Sequence, residues 1–186
     1  MNVLIACEYS GAVRDAFIAK GHDAISCDLL PTDQPGPHII GDCVPVIKQG
    51  WDLIIMHPPC TALAVSGNRW YGEGMPLNLE RKKSIEWTLH LWESAKANAD
   101  RVCMENPVGV LTHYIGKPQY IQPWQFGHGE TKKTGLWLHN LPQLNPTKIV
   151  DGREQRVWKL PPSQDRWKIR STTYQGVAKA MAEQWG

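Results

Sequence analysis

The chain does without several things, and each absence narrows its class. No two of its five cysteines (Cys7, Cys27, Cys43, Cys60, Cys103) stand two residues apart. That spacing argues against a zinc ribbon or a thioredoxin-type redox pair and for reduced, separate thiols. His57 and Cys60 have metal-ligand spacing but no matching second pair, so no metal site is expected. No apolar run approaches the roughly 20 residues that cross a bilayer, and the first residues lack the basic-then-apolar pattern of a secretory signal. The expectation is a soluble, cytoplasmic protein. Repeats and low-complexity tracts are also missing. An excess of charge of either sign is nearly missing too: a net charge of +2 permits a nucleic-acid partner without demanding one. Phenylalanine is scarce, with two residues against nine tryptophans. The 186 residues form a single domain, 1–186, by the usual size prior.

What is present is a βα pattern. Val3–Cys7 is a short apolar strand, followed by Glu8-Tyr9-Ser10-Gly11 and an amphipathic helix over Ala12–Lys20 that Gly21 ends. Ala24–Cys27 is a second strand with Asp28 at its tip, roughly 20 residues beyond the glycine turn, where a cofactor ribose is held in nucleotide-binding folds. The alternative for Asp28 is a solvated strand-end acid. Residues 30–41, rich in Pro, Gly and Asp, read as a loop, and a short connection leads to the next strand.

That strand, Leu53–Met56, runs into Pro58 and Pro59, which stop it in a rigid extended turn with Cys60 at its exit. Ligands bind at the carboxyl ends of strands in open α/β sheets, so Cys60 is either a reactive thiol or a buried structural one. Glu80–Ala99 is the clearest helix, with its tryptophans read as core and Arg81, Lys82, Lys83 and Glu86 on other faces. Arg101–Met104 is a further strand ending in Glu105-Asn106-Pro107, which sets Glu105 and Cys60 on the same sheet edge. Gln119–Leu141 mixes aromatics, glycines and the adjacent Lys132 and Lys133; it is either a loop that meets phosphate or base, or a hairpin with a solvated lysine tip. From Asn140 to Ile169 basic residues alternate with Trp158 and Trp167 without periodicity, and a helix over Gly176–Trp185 closes the chain.

Taken in order, these motifs resemble the DNA cytosine-5 methyltransferases, especially the short versions found in phage and prophage genomes. Asp52, Pro58, Pro59, Cys60 and Gly67 fall in register with that family's D-L-I-x-G-G-P-P-C-Q-x-F-S-x-A-G motif. Val102–Gly109 resembles the E-N-V-x-G motif, with Pro107 in place of valine. Ala6–Phe17 resembles F-x-G-x-G-G but keeps only Gly11. Phe126–Thr134 resembles G-x-P-Q-x-R-x-R, with Lys132 where an arginine stands. Arg170–Ala182 is similar to the closing motifs. The long recognition region of the family is here only about 30 residues, 140–169.

The resemblance implies a Rossmann-like AdoMet-dependent methyltransferase fold, α/β, with a mostly parallel sheet and helices on both faces. It implies catalysis by Cys60, Glu105 and Lys132. S-adenosyl-L-methionine would be bound by Glu8, Tyr9, Ser10, Gly11, Asp28, Leu29, Asp42, Cys43, Pro58 and Gln175. The implied partner is DNA, single-stranded or mismatched, in a bacterium or a phage-infected host cell. The Cys60 thiolate would add to carbon 6 of cytosine so that carbon 5 becomes nucleophilic. Two other readings use the same residues: a pyrimidine-modifying enzyme acting on free nucleotides, and an inactive phage factor that binds DNA or AdoMet.

Overall fold

The computed structural model describes residues 1–186. Seven strands form one sheet: β1 (Asn2–Ala6), β2 (Asp23–Asp28), β3 (His38–Ile40), β4 (Trp51–Met56), β5 (Ala99–Pro107), β6 (Gln119–Ile121) and β7 (Thr134–His139). Their spatial order is β3-β2-β1-β4-β5-β7-β6. The five from β3 to β5 are parallel; β7 runs antiparallel to both β5 and β6. The helices are α1 (Ala12–Ile18), α2 (Cys43–Ile47), α3 (Asn68–Tyr71), α4 (Asn78–Asn98), α5 (Arg156–Lys159), α6 (Arg166–Ser171) and α7 (Gln175–Trp185).

The central strands are apolar throughout because both of their faces are covered. Side chains alternate in direction along a strand. Val3, Ile5, Leu53 and Ile55 therefore pack on one side with Val13 and Phe17 of α1 and Val177, Met181 and Trp185 of α7. Leu4, Ala6, Ile54 and Met56 pack on the other with Ile47 of α2 and Ile85, Leu91 and Trp92 of α4. Fully burying each such large aliphatic is worth about 1.5–3 kcal/mol.

Sheet order reverses between β1 and β4, and the switch point opens a crevice at their carboxyl ends. Two turns meet there: residues 7–11 after β1 and 57–60 after β4.

The structure departs from the sequence reading in four places. The stretch read as a loop over 30–41 contains β3, a three-residue edge strand hidden among prolines and paired with the end of β2. The connection before β4 contains α2, capped by Asp42, whose carboxylate accepts the Val44 N–H at 3.0 Å. Residues 140–169 include α5 and the start of α6, helices too short to show a period. On α4, Trp92 is core but Trp87 is 37% exposed, and Arg81 is buried rather than on an outer face.

Candidate active site

The turn bearing Cys60 is held from three directions. Asn106 at the end of β5 donates its side-chain N–H to the Pro58 carbonyl at 2.9 Å. Arg81 reaches in from α4 and donates Nε–H to the Ala62 carbonyl at 2.6 Å. Residues after β5 close the third side, with Val65 N–H on the Val108 carbonyl and Val110 N–H on the Leu63 carbonyl, each at 3.0 Å. Gly109 permits this approach, since a Cβ there would lie 2.1 Å from the Leu63 oxygen. The turn is thus fixed by the fold.

Adjacent to it, Glu105 projects from β5. Its Oε2 lies 3.2 Å from His57 Nδ1, the residue that leaves β4, and the two side chains are 16% and 9% exposed. Burial favours the neutral carboxyl. The hydrogen bond from His57, the charge of Lys132 and the Thr134 hydroxyl outweigh it and hold Glu105 below its ordinary value. Glu105 is therefore ionised at neutral pH. Cys60 is shifted the other way: burial first, then the Glu105 carboxylate, push its thiol up, and Lys132 and Arg170 pull it back only in part. Of the two lysines read as a hairpin tip, β6 and β7 do form the hairpin, and the lysines divide. Lys133 is exposed, with Nζ 4.3 Å from the Tyr120 ring centroid, whereas Lys132 lines a cleft with Glu105, Ile121, Thr134, Tyr174 and Val177.

The residues expected to hold the cofactor occupy the crevice and its flank. Glu8, Tyr9, Ser10 and Gly11 form the turn after β1. Gly11 has φ 75°, a left-handed conformation that glycine adopts without strain. Asp28 ends β2, opposite Ile40 of β3, and its carboxylate accepts the Leu30 N–H at 2.9 Å. Leu29 and Ile40 beside it are 75% and 64% exposed, an apolar pair open to a flat ring. Asp42 and Cys43 begin α2, with Cys43 Sγ 3.7 Å from Cys7 Sγ. Pro58 is buried under its bond from Asn106. Gln175 opens α7 directly after Tyr174, which lines the cleft with Glu105 and Lys132.

Glu8 occupies the start of α1. Its carboxylate is 4% exposed and accepts the N–H groups of Val13 (2.8 Å) and Arg14 (3.3 Å). In dinucleotide-binding folds that helix start takes the pyrophosphate. Here the chain has filled it with its own anion. The Val13 and Arg14 N–H groups are therefore not free for a phosphate.

Two contributors, Arg14 and Arg170, escaped the sequence reading. Arg14 is fully buried and donates to Ser26, Thr32, Asp15 and the Gln34 carbonyl, tying down the loop after β2. Arg170 of α6 bears on the Cys60 thiol. The same helix lies over Tyr9, whose hydroxyl is 2.8 Å from Ser171 Oγ and whose ring is 5.6 Å from that of Trp167.

Comparison of the whole fold decides its class. A methyltransferase of Entamoeba histolytica, EhMeth, superposes with a TM-score of 0.54 at 14% identity, covering 83% of this chain and 57% of EhMeth. This is a methyltransferase fold. WbdD, solved with the kinase inhibitor LY294002, is more distant at a TM-score of 0.43 and 12% identity over 76% of this chain and 39% of its own. The chain thus spans well under two thirds of either neighbour. No protein-family model and no curated protein sequence matches it. Within this methyltransferase fold, no helix is long and apolar enough to cross a membrane.

Proposed function

We propose that the chain methylates carbon 5 of cytosine in DNA, using S-adenosyl-L-methionine and a covalent bond from Cys60. The observation that carries this reading is the joint placement of Cys60 and Glu105 at one end of neighbouring strands, with Lys132 and Arg170 bearing on the thiol. Bound AdoMet supplies an electrophilic methyl group. Asp28, with exposed Leu29 and Ile40 beside it, is suited to the adenosine, and the buried Glu8 carboxylate adds negative charge to the same crevice.

In the thiolate form, Cys60 Sγ bonds to carbon 6 of the base. The electron pair of the 5,6 double bond moves onto carbon 5, and charge spreads toward N3. Glu105 faces N3 and the exocyclic amino group, and Lys132 and Arg170 offset the negative charge gathered around the thiol. A base must leave its stack to reach this site, which costs a few kcal/mol in a duplex and little in a single strand. The segment before α7 is short, and it exposes Trp158 (70%) and Trp167 (49%) among Lys159, Arg166, Lys168 and Arg170. Rings interleaved with cations suit unstacked bases, so single-stranded or mismatched DNA is the substrate form we assign, met in the cytoplasm of a bacterial or phage-infected cell.

The test is expression of the wild type and Cys60→Ser in a host without cytosine methylation, followed by mass spectrometry of the nucleosides. 5-Methylcytosine that appears with the wild type and is lost in the variant is the expected result. Unmodified DNA in both strains refutes DNA as the substrate.

A further inference from the structure

His57 stands at a position where the resembling family's motif has glycine, and nothing in the packing asks for an imidazole there. Its side chain is nine-tenths buried, Nδ1 meets Glu105 Oε2 at 3.2 Å, and Nε2 is buried with no protein partner. An orphaned buried ring nitrogen works against stability. A histidine placed for packing would satisfy both nitrogens. This one satisfies only the nitrogen that faces the carboxylate.

That carboxylate has a chemical problem which His57 solves. Cytosine N3 is a hydrogen-bond acceptor, and an ionised Glu105 offers only acceptors. Thiolate attack at carbon 6 drives charge onto N3, which needs a proton. Around Glu105 stand Lys132 on the loop before β7, Thr134 on β7, Cys60 after β4, buried Cys103 on its own strand and Tyr174 across the cleft. Lys132 and Thr134 stabilise the ionised form, and Cys60 reacts as its own thiolate. His57 alone combines a hydrogen bond to the carboxylate with a ring nitrogen that can carry a proton toward it.

We infer that His57 is the proton carrier for Glu105: as Cys60 attacks, the Nδ1 proton of the imidazolium passes to the Glu105 carboxylate, and the carboxyl so formed hands that same proton on to N3. The balance closes. His57 ends neutral, Glu105 ends ionised as it began, N3 carries the proton, and the reverse transfer accompanies departure of the thiolate. His57 does not touch the base, so it is a positioning and proton-supplying residue. The inference rests on the cytosine-5 reading of the site.

The measurement is methyl transfer from labelled AdoMet to heat-denatured genomic DNA from a methylation-free host, as kcat and KM from pH 5.5 to 9, for the wild type, His57→Asn and His57→Gln. While the imidazole is protonated, the wild-type kcat climbs about tenfold per pH unit with the thiolate fraction; it then flattens in the imidazole range as loss of imidazolium cancels that gain. Asparagine keeps a donor toward Glu105 but carries no exchangeable charge. Its kcat is expected to fall about 100-fold or more, with KM for DNA little changed and the bend in the imidazole range gone. The same bend in a folded variant overturns the inference. Should neither variant fold, a wild-type kcat that rises without a bend through pH 8 overturns it as well. A wild type that transfers no methyl at any pH refutes the cytosine-5 reading instead, and so separates the two failures.

Discussion

Replacing Arg14 with methionine tests whether one buried cation organises the cofactor side of the crevice. Methionine keeps most of the apolar stem, so the perturbation is confined to hydrogen bonding and charge. Four bonds of 3.2 Å or shorter are lost, to Asp15, Ser26, Thr32 and the Gln34 carbonyl. A bond from a charged donor contributes about 1.5 kcal/mol at the low end of its range. Gln34 is exposed and Thr32 partly so, and water restores about half of that loss at their oxygens. The expected destabilisation is about 4.5 kcal/mol, or roughly 13 °C in melting temperature for a chain of this length. Urea unfolding followed by tryptophan fluorescence measures it, and calorimetric titration with AdoMet measures the second consequence. Because the untethered segment is the 29–37 loop that follows Asp28, AdoMet affinity should drop even where the protein remains folded. A variant within about 0.5 kcal/mol of the wild type, with unchanged cofactor affinity, would refute this account of Arg14.

Two further outcomes follow from the turn that holds Cys60. Burial and Glu105 keep its thiol above the ordinary value, so iodoacetamide should modify Cys60 more slowly at pH 8 than an unstructured peptide thiol, with a rate still rising above pH 9. Glu105→Gln should speed the modification and Lys132→Ala or Arg170→Ala should slow it, read by peptide mass spectrometry; the opposite order would contradict the electrostatics of the site. Gly109→Ala forces the turn away from the β5 exit, since its methyl meets the Leu63 oxygen, and should cost about 1–3 kcal/mol in chemical denaturation and lower activity further than that by displacing Cys60.

The central sheet was legible because its strands are buried on both faces, so Val3–Ala6, Leu53–Met56 and Val102–Met104 stand out as short apolar runs. Pro58-Pro59-Cys60 and Glu105-Asn106 were legible for a different reason: prolines mark where strands stop, and strand ends are where sites form. What escaped was whatever depends on contacts distant in sequence. β3 draws its structure from pairing with β2 rather than from its own three residues. Arg14 and Arg81 look like surface charges on helical patterns, and only tertiary placement shows their guanidinium groups turned inward onto loop carbonyls. Arg170 and Tyr9 lie 161 positions apart along the chain yet belong to one corner of the site. His57 carries no signal beyond its neighbours, because its meaning comes from Glu105 across the strand pair.

The self-supplied anion at the start of α1 has a consequence for the company this protein keeps. Nucleoside triphosphates and dinucleotide coenzymes abound in any cytosol, and a bare helix start would attract their phosphates whether or not they took part in the reaction. With Glu8 already seated there, those molecules meet a negative charge where they need a positive one. On the proposed AdoMet reading, a single side chain thus disfavours phosphate-bearing adenosine compounds before any contact with their adenine is made.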